Sequence, residues 1–198
     1  MQLLHRGIGQ PSRLGVFPGS FNPPTVAHLA LARAALQHVD QVVFVLPRVF
    51  PHKNYRGATF DQRLELLRLA TADESAFAVA TSDGGLFLEI ARECRDAYGS
   101  EIPLSFLCGR DAAERIVGWD YGRPDAAAEM LREFDLLVAA RDGSYEPPAA
   151  HSHAVRAIDV YDCDAISSSG VRDRIARGSP WKHLVPESIR STVACIYR

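Results

Sequence analysis

Short, unbroken apolar runs alternate along this chain with longer segments of helical periodicity. Leu14 to Phe17, Gln41 to Leu46, Phe77 to Ala80, Leu104 to Leu107 and Leu136 to Ala140 are such runs, and Ala154 to Val160 is a weaker one. A run without polar alternation marks a strand covered on both faces. Between them, Val26 to His38 carries Val26, Leu29, Ala30 and Ala34 at helical spacing, and Phe60 to Ala72 carries Leu64, Leu66, Leu67 and Leu69. Leu86 to Tyr98, Asp111 to Val117 and Ala126 to Phe134 read as helices too, and Ser168 to Arg177 and Pro186 to Ile196 as closing ones. Buried strands alternating with helices imply an α/β fold with helices on both faces of a parallel sheet. Right-handed crossovers make that sheet doubly wound. The expected architecture is a single domain over residues 14–198, preceded by a frayed lead-in at 1–13. Such folds bind ligands beyond the carboxyl ends of the strands, where the strand order reverses. Loops that follow strands therefore come first as sites.

Composition narrows the function. The 198 residues suit one domain, and 47% hydrophobic with 23% charged residues is an ordinary globular balance. Lys plus Arg is 22 and Asp plus Glu is 24, so the net charge is −2 and no global basic field exists to hold a long nucleic acid. The longest apolar runs fall far below the roughly 20 residues of a membrane span. Met1 to Arg13 holds no apolar block of signal-peptide length. Cys94, Cys108, Cys163 and Cys195 are far apart without a C-x-x-C pair, which fits reduced, mostly buried thiols. The expectation is a cytoplasmic protein with neither a long nucleic acid nor a membrane as partner.

Two segments carry chemistry. The first is Gly15-Val16-Phe17-Pro18-Gly19-Ser20-Phe21-Asn22-Pro23-Pro24-Thr25-Val26-Ala27-His28, which follows a strand and opens a helix. It is neither a G-x-G-x-x-G fingerprint nor a P-loop, which counts against a dinucleotide-dependent dehydrogenase and a Walker-type NTPase. Thr25 is a good N-cap, and His28 then sits in the first turn, where free N–H groups and the helix dipole favour negative charge. A His there can donate to a phosphate oxygen, although a lone Thr-x-x-His is also what a plain capped helix looks like. The second segment is Ile166-Ser167-Ser168-Ser169-Gly170-Val171-Arg172. Hydroxyls at a helix start with a guanidinium one turn on suit phosphate oxygens. The same pattern also fits an N-cap with a solvated Arg. Two such starts in one domain are far less easily accidental than either alone.

Together the segments resemble the nucleotidylyltransferase superfamily, with its T/H-x-G-H and S-S-T-x-x-R signatures, and within it the nicotinate/nicotinamide mononucleotide adenylyltransferases. Pro51-His52-Lys53 matches that family's P-H-K, Phe106 to Asp111 with Trp119 its F-x-x-G-x-D…W, and Leu184 to Ile189 its ending. The resemblance runs from about Leu14 to Tyr197 and implies a Rossmann-like fold. It implies transfer of AMP from ATP, with Mg2+, to the phosphate of a mononucleotide. His28, Thr25, Lys53 and Arg172 would be catalytic. Gly19, Ser20, Phe21, Gly109, Asp111, Ile166, Ser167 and Ser168 would bind the nucleotide, and His52 and Trp119 the acceptor, with no protein-held metal. The partners would be these small molecules, and a homo-oligomer is compatible with them.

The sequence also departs from the family. Thr25 and Asn22 stand where bacterial nicotinate enzymes usually have His and Asp, and the G-S-F-N-P-x-T wording is closer to the nicotinamide enzymes. Ala27 replaces a Gly and Ser169 a Thr. Thr81 to Ile90 replaces the G-x-S-Y-T element that helps hold the pyridine in bacterial relatives. The alternatives are the same chemistry with another acceptor or nucleotide, as in phosphopantetheine adenylyltransferases or cytidylyltransferases, and a non-enzymatic nucleotide sensor. The His151/His153 pair and the acids Asp162 and Asp164 read as loop residues, and Trp181 and Lys182 as packing and surface.

Overall fold

The structure is a computed structural model, and it describes residues 1–49, 57–118, 126–140, 145–161, 163 and 165–198. Its elements in chain order are β1 (Gln2–His5), β2 (Leu14–Pro18), α1 (Val26–Ala35), β3 (Gln41–Pro47), α2 (Phe60–Thr71), β4 (Phe77–Ser82) and α3 (Phe87–Tyr98). They continue with β5 (Leu104–Gly109), α4 (Arg110–Gly118), α5 (Ala126–Glu133), β6 (Asp135–Ala140), β7 (Val155–Asp159), α6 (Ser168–Ala176) and α7 (Arg190–Ile196). The strands form one sheet in the order β1-β4-β3-β2-β5-β6-β7. All neighbours from β4 to β7 pair in parallel, so the expected α/β doubly wound sheet is present. Strand order reverses between β2 and β5. Their carboxyl ends, at Pro18 and Gly109, open the crevice where such sheets bind ligands.

Alternation along the strands sorts side chains into two cores. On β3, Val43 and Val45 face a cluster completed by Ile90 and Cys94 of α3, Ala113 of α4 and Met130 of α5. Val42, Phe44 and Leu46 face the other cluster, completed by α1 through Ala27, Leu31 and Ala35. Every residue of β3 is buried, as its unbroken apolar run predicts. A third cluster joins Leu66 of α2, Val171 of α6 and Val193 of α7 behind that second face.

Two expectations need correction. The lead-in is not frayed throughout, because Gln2–His5 pairs antiparallel with β4 and extends the sheet by one edge strand. Its four residues are mostly exposed, so they lack the apolar signature of the other strands. The stretch 186–196 is not one helix. It opens with a 3₁₀ turn at Glu187–Ile189 and only then becomes α7. Cys94, Cys108 and Cys163 are buried and Cys195 is exposed, all four as free thiols. Burial pushes the Cys94 and Cys108 thiols up to about 12, so both stay protonated and unreactive. Among the described residues no helix is long and apolar enough to cross a membrane.

The aromatic centre of the first core gives a stability test. Phe106 is fully buried, with the rings of Phe134 and Phe87 at 4.4 and 4.7 Å between centroids. Phe106→Ala should cost about 3–5 kcal/mol. Urea unfolding would show this as a lower midpoint at unchanged slope.

Candidate active site

The loop between β2 and α1 is shaped by packing before any chemistry. Phe21 has φ +43°, a conformation that costs an L-residue about 1–3 kcal/mol. Its ring is 1% exposed and wedged edge-on against Phe17, at 5.5 Å and 87°. Burial of that ring offsets the backbone cost, since fully burying a Phe is worth about 1.5–3 kcal/mol. The ring reaches its place only because residue 19 is glycine. A methyl at Gly19 would come within 2.8 Å of the Phe21 ring. Phe17 and Phe21 in turn wall the imidazole of His28, at 5.9 and 5.3 Å.

Thr25 then defines how His28 is held. Its backbone N–H donates to Nδ1 of His28 at 2.9 Å, and its Oγ1 lies 2.7 Å from the same nitrogen. Nδ1 is therefore an acceptor, so in the neutral ring the hydrogen resides on Nε2. Thr25 is fully buried. Its backbone N–H and its hydroxyl both face His28, so it holds the imidazole in place.

The distal motif locks onto this loop. Ser167 caps α6, its Oγ accepting from the Gly170 N–H at 3.1 Å and lying 3.1 Å from Ser169 Oγ. Ser168 Oγ donates to the carbonyl of Pro23 at 2.8 Å, and Arg172 Nη1 to that of Asn22 at 2.5 Å. These contacts span 145 and 150 residues of sequence. The two helix starts singled out from sequence thus form one structure. α1, α6 and α7 have no acid in the first turn, whereas α2, α3, α4 and α5 carry Asp61, Glu89, Asp111 and Glu129 there. The positive ends of α1 and α6 are therefore not offset by a carboxylate of their own first turns.

The remaining predicted residues divide. Gly19 and Ser20 are half-exposed on the loop, while Phe21 can offer a ligand only its main chain. Ile166 packs partly into the core behind α6. Gly109 ends β5, and a methyl there would meet nothing within 4 Å, so the crevice is open at that point. Asp111 is exposed in the first turn of α4. It lines a recess of about 520 Å³ with Glu114, Arg115 and Gly118. A neighbouring hollow of about 580 Å³, between Arg110 and Glu114 on one side and Tyr145 and His151 on the other, includes neither His28 nor Ser167. His52, Lys53, Trp119, Asp162 and Asp164 lie outside the described residues. Trp181 packs against the third cluster and Lys182 is exposed.

Sequence reasoning missed three residues that hold the loop. Arg63 Nη1 donates to the Ser20 carbonyl at 3.1 Å, and Tyr197 Oη donates to Asn22 Oδ1 at 2.5 Å. Arg63 left a trace, because it stands three and four residues before Leu66 and Leu67, on the core-facing side of α2. Asn22 and Tyr197 left none, since nothing local marks them as partners.

A doubly wound sheet with two acid-free helix starts pinned together at its switch point defines a nucleotide-handling α/β protein. The family model described as cytidylyltransferase-like matches residues 16–174, and the chain belongs to that family. A probable nicotinate-nucleotide adenylyltransferase of Geobacter sp. (strain M21) is 31% identical over 207 residues, covering 91% of this chain and 95% of that protein. One of Gloeobacter violaceus is 32% identical over 198 residues, covering 91% and 93%. The fold is shared with nicotinic acid mononucleotide adenylyltransferase of Plasmodium falciparum complexed with NaAD. There the TM-score is 0.68 at 16% identity, over 91% of this chain and 94% of that one.

The tight approach of Gly19 to Phe21 can be tested without substrate. Gly19→Ala should push the ring from its seat and cost about 1–3 kcal/mol, as overpacking typically does. Thermal unfolding should register this as a fall of roughly 2–4 °C per kcal/mol lost.

Proposed function

We propose that the chain is an adenylyltransferase of NAD biosynthesis, moving AMP from ATP to the phosphate of a nicotinate or nicotinamide mononucleotide. The observation that carries this is the interlock itself. The Thr25-held imidazole of His28 and the Ser- and Arg-bearing start of α6 are tied together through the carbonyls of Asn22 and Pro23. The adenylyltransferase names of the bacterial relatives and the NaAD bound by the structural neighbour support the same reaction.

In that reaction an oxygen of the acceptor phosphate attacks the α-phosphorus of ATP. The bond from that phosphorus to the bridging oxygen breaks, and the β- and γ-phosphates leave as pyrophosphate. A phosphate monoester is already an anionic nucleophile near neutral pH, so no general base is required. The protein supplies position and charge. His28 donates from Nε2 to the transferring phosphate, with Thr25 holding the ring. The main chain at Gly19, Ser20 and Phe21 lines the path. Ser167, Ser168 and the main chain at Ile166 receive the leaving phosphates. Arg172 spends one N–H on Asn22 and directs others to the same phosphates. Gly109 gives close access to the adenosine ribose, and Asp111 accepts from its hydroxyls. Lys53 and His52 neutralise charge on the acceptor side, and Trp119 stacks on its ring. Magnesium would enter with ATP and neutralise charge on its phosphates.

Acid against amide is decided where the pyridine's substituent docks. The turn that leads into α3 has four of its donors already occupied by the chain's own acids. The N–H groups of Gly85 and Leu86 donate to Glu89 at 3.0 and 3.1 Å, and the Gly84 N–H and Ser82 Oγ donate to Glu93 at 3.3 and 2.9 Å. A methyl at Gly84 would lie 2.6 Å from a Glu89 oxygen, so the glycine is what lets that carboxylate fold back. With those donors already answered by the chain's own acids, a substrate carboxylate gains little from them.

His28→Ala should lower kcat by about 100-fold or more, with ATP affinity within a few fold, as loss of one transition-state donor does. Turnover near that of the parent protein would remove His28 from the reaction. A pyrophosphate-release screen with ATP and CTP against both pyridine mononucleotides and phosphopantetheine tests the assignment. The amide should serve within about tenfold of the acid, a gap of roughly 1.4 kcal/mol. Release with phosphopantetheine or CTP alone would replace this assignment by another acceptor or nucleotide.

A further inference from the structure

The main-chain carbonyls of Ser20, Asn22 and Pro23 are each taken by a side chain from outside the loop. Asn22 is, with Thr25, one of the loop's two buried polar side chains, 4% exposed, and its Oδ1 accepts from Tyr197 near the far end of the chain. Tyr197 is itself 7% exposed. It sits in the same cluster as Leu66, from the helix that bears Arg63, and Val171, the neighbour of Arg172. One apolar block therefore anchors three of the four clamps on the loop. Burial pushes the Tyr197 hydroxyl up against the opposing pull of Arg172 and Arg63, so it remains a donor throughout the working pH range.

From this geometry we infer that Tyr197 is a positioning residue for adenylyl transfer: its hydroxyl holds the Asn22 amide, and through that peptide sets the Thr25–His28 pair against the start of α6. The inference rests on the transfer reaction proposed above. Asn22 is three residues before Thr25, and its carbonyl is the one Arg172 grips. A shift at Asn22 moves both sides of the site relative to each other. Misplacement by an ångström is enough to slow a positioned reaction about 100-fold. Because Tyr197 reaches the loop from behind, through Asn22, the effect belongs in kcat and not in ATP binding.

Tyr197→Phe keeps the ring in its cluster and removes only the donor. Val193→Ala loosens the same cluster without touching the loop and serves as the control. Pyrophosphate release is measured at a temperature where both variants are folded. Hydrogen exchange is followed on a peptide spanning the loop and the start of α1. Tyr197→Phe should lower kcat about tenfold or more with KM for ATP within about threefold, and should speed exchange at residues 19–22. Val193→Ala should lower the melting temperature while keeping kcat and loop protection. Unchanged kcat in Tyr197→Phe, unchanged loop protection, or equal losses in both variants would each overturn the inference. The exchange arm needs no turnover. If the parent protein releases no pyrophosphate with either pyridine mononucleotide, the proposed reaction fails, and loop protection alone decides whether Tyr197 clamps Asn22.

Discussion

The grip of α6 on the carbonyls of Asn22 and Pro23 is the contact on which the site depends. Without it, the two helix starts would be separate features of a large sheet. With it, the Ser and Arg side chains of one helix are referenced to the peptide that leads directly into the other. Both contacts are half-buried, where a hydrogen bond is stronger than in water and an unanswered carbonyl is costly. Arg suits this double duty better than Lys. Its planar fork has five N–H groups, so anchoring one to a carbonyl leaves others for a ligand.

The loop is also held under strain, and the fold explains why it stays there. Phe21 occupies a left-handed conformation while its ring fills a gap among Phe17, Phe44 and His28. The ring's burial and the pinned carbonyls over-determine a backbone that would relax in isolation. His28 benefits directly, since two Phe rings and the Thr25 N–H set its plane and its tautomer. Preorganisation of this kind is what phosphoryl chemistry rewards, because the protein contributes position more than covalent participation.

The fold was legible because its signal is periodic. The buried strands announced themselves through runs such as Val42 to Leu46, and alternation with helices implied the parallel sheet. Gln2–His5 escaped because an edge strand needs only one partner and buries little. At the site, Thr25, His28 and the Ser167 cluster were legible because a helix start is a local pattern. The clamps were not. Arg63, Asn22 and Tyr197 are joined by contacts across 43 and 175 residues, and nothing in their neighbourhoods encodes such a pairing. The burial of Thr25 was not legible either, because a helix N-cap pattern says nothing of what packs over it.

Charge at the helix starts divides the labour around the crevice. Every helix start concentrates positive potential, and the chain treats these starts differently. Those of α1 and α6 carry no acid in the first turn, which suits polyphosphate. That of α4 carries Asp111 beside the open carboxyl end of β5, which suits neutral hydroxyls and repels phosphate. At α3, Glu89 and Glu93 take the N–H groups of the turn before the helix, with Gly84 making room. The net charge of −2 is no obstacle to binding a polyanion, because the field that matters is local. It arises where two helix dipoles and one guanidinium converge, on a stretch of backbone from which acids are absent.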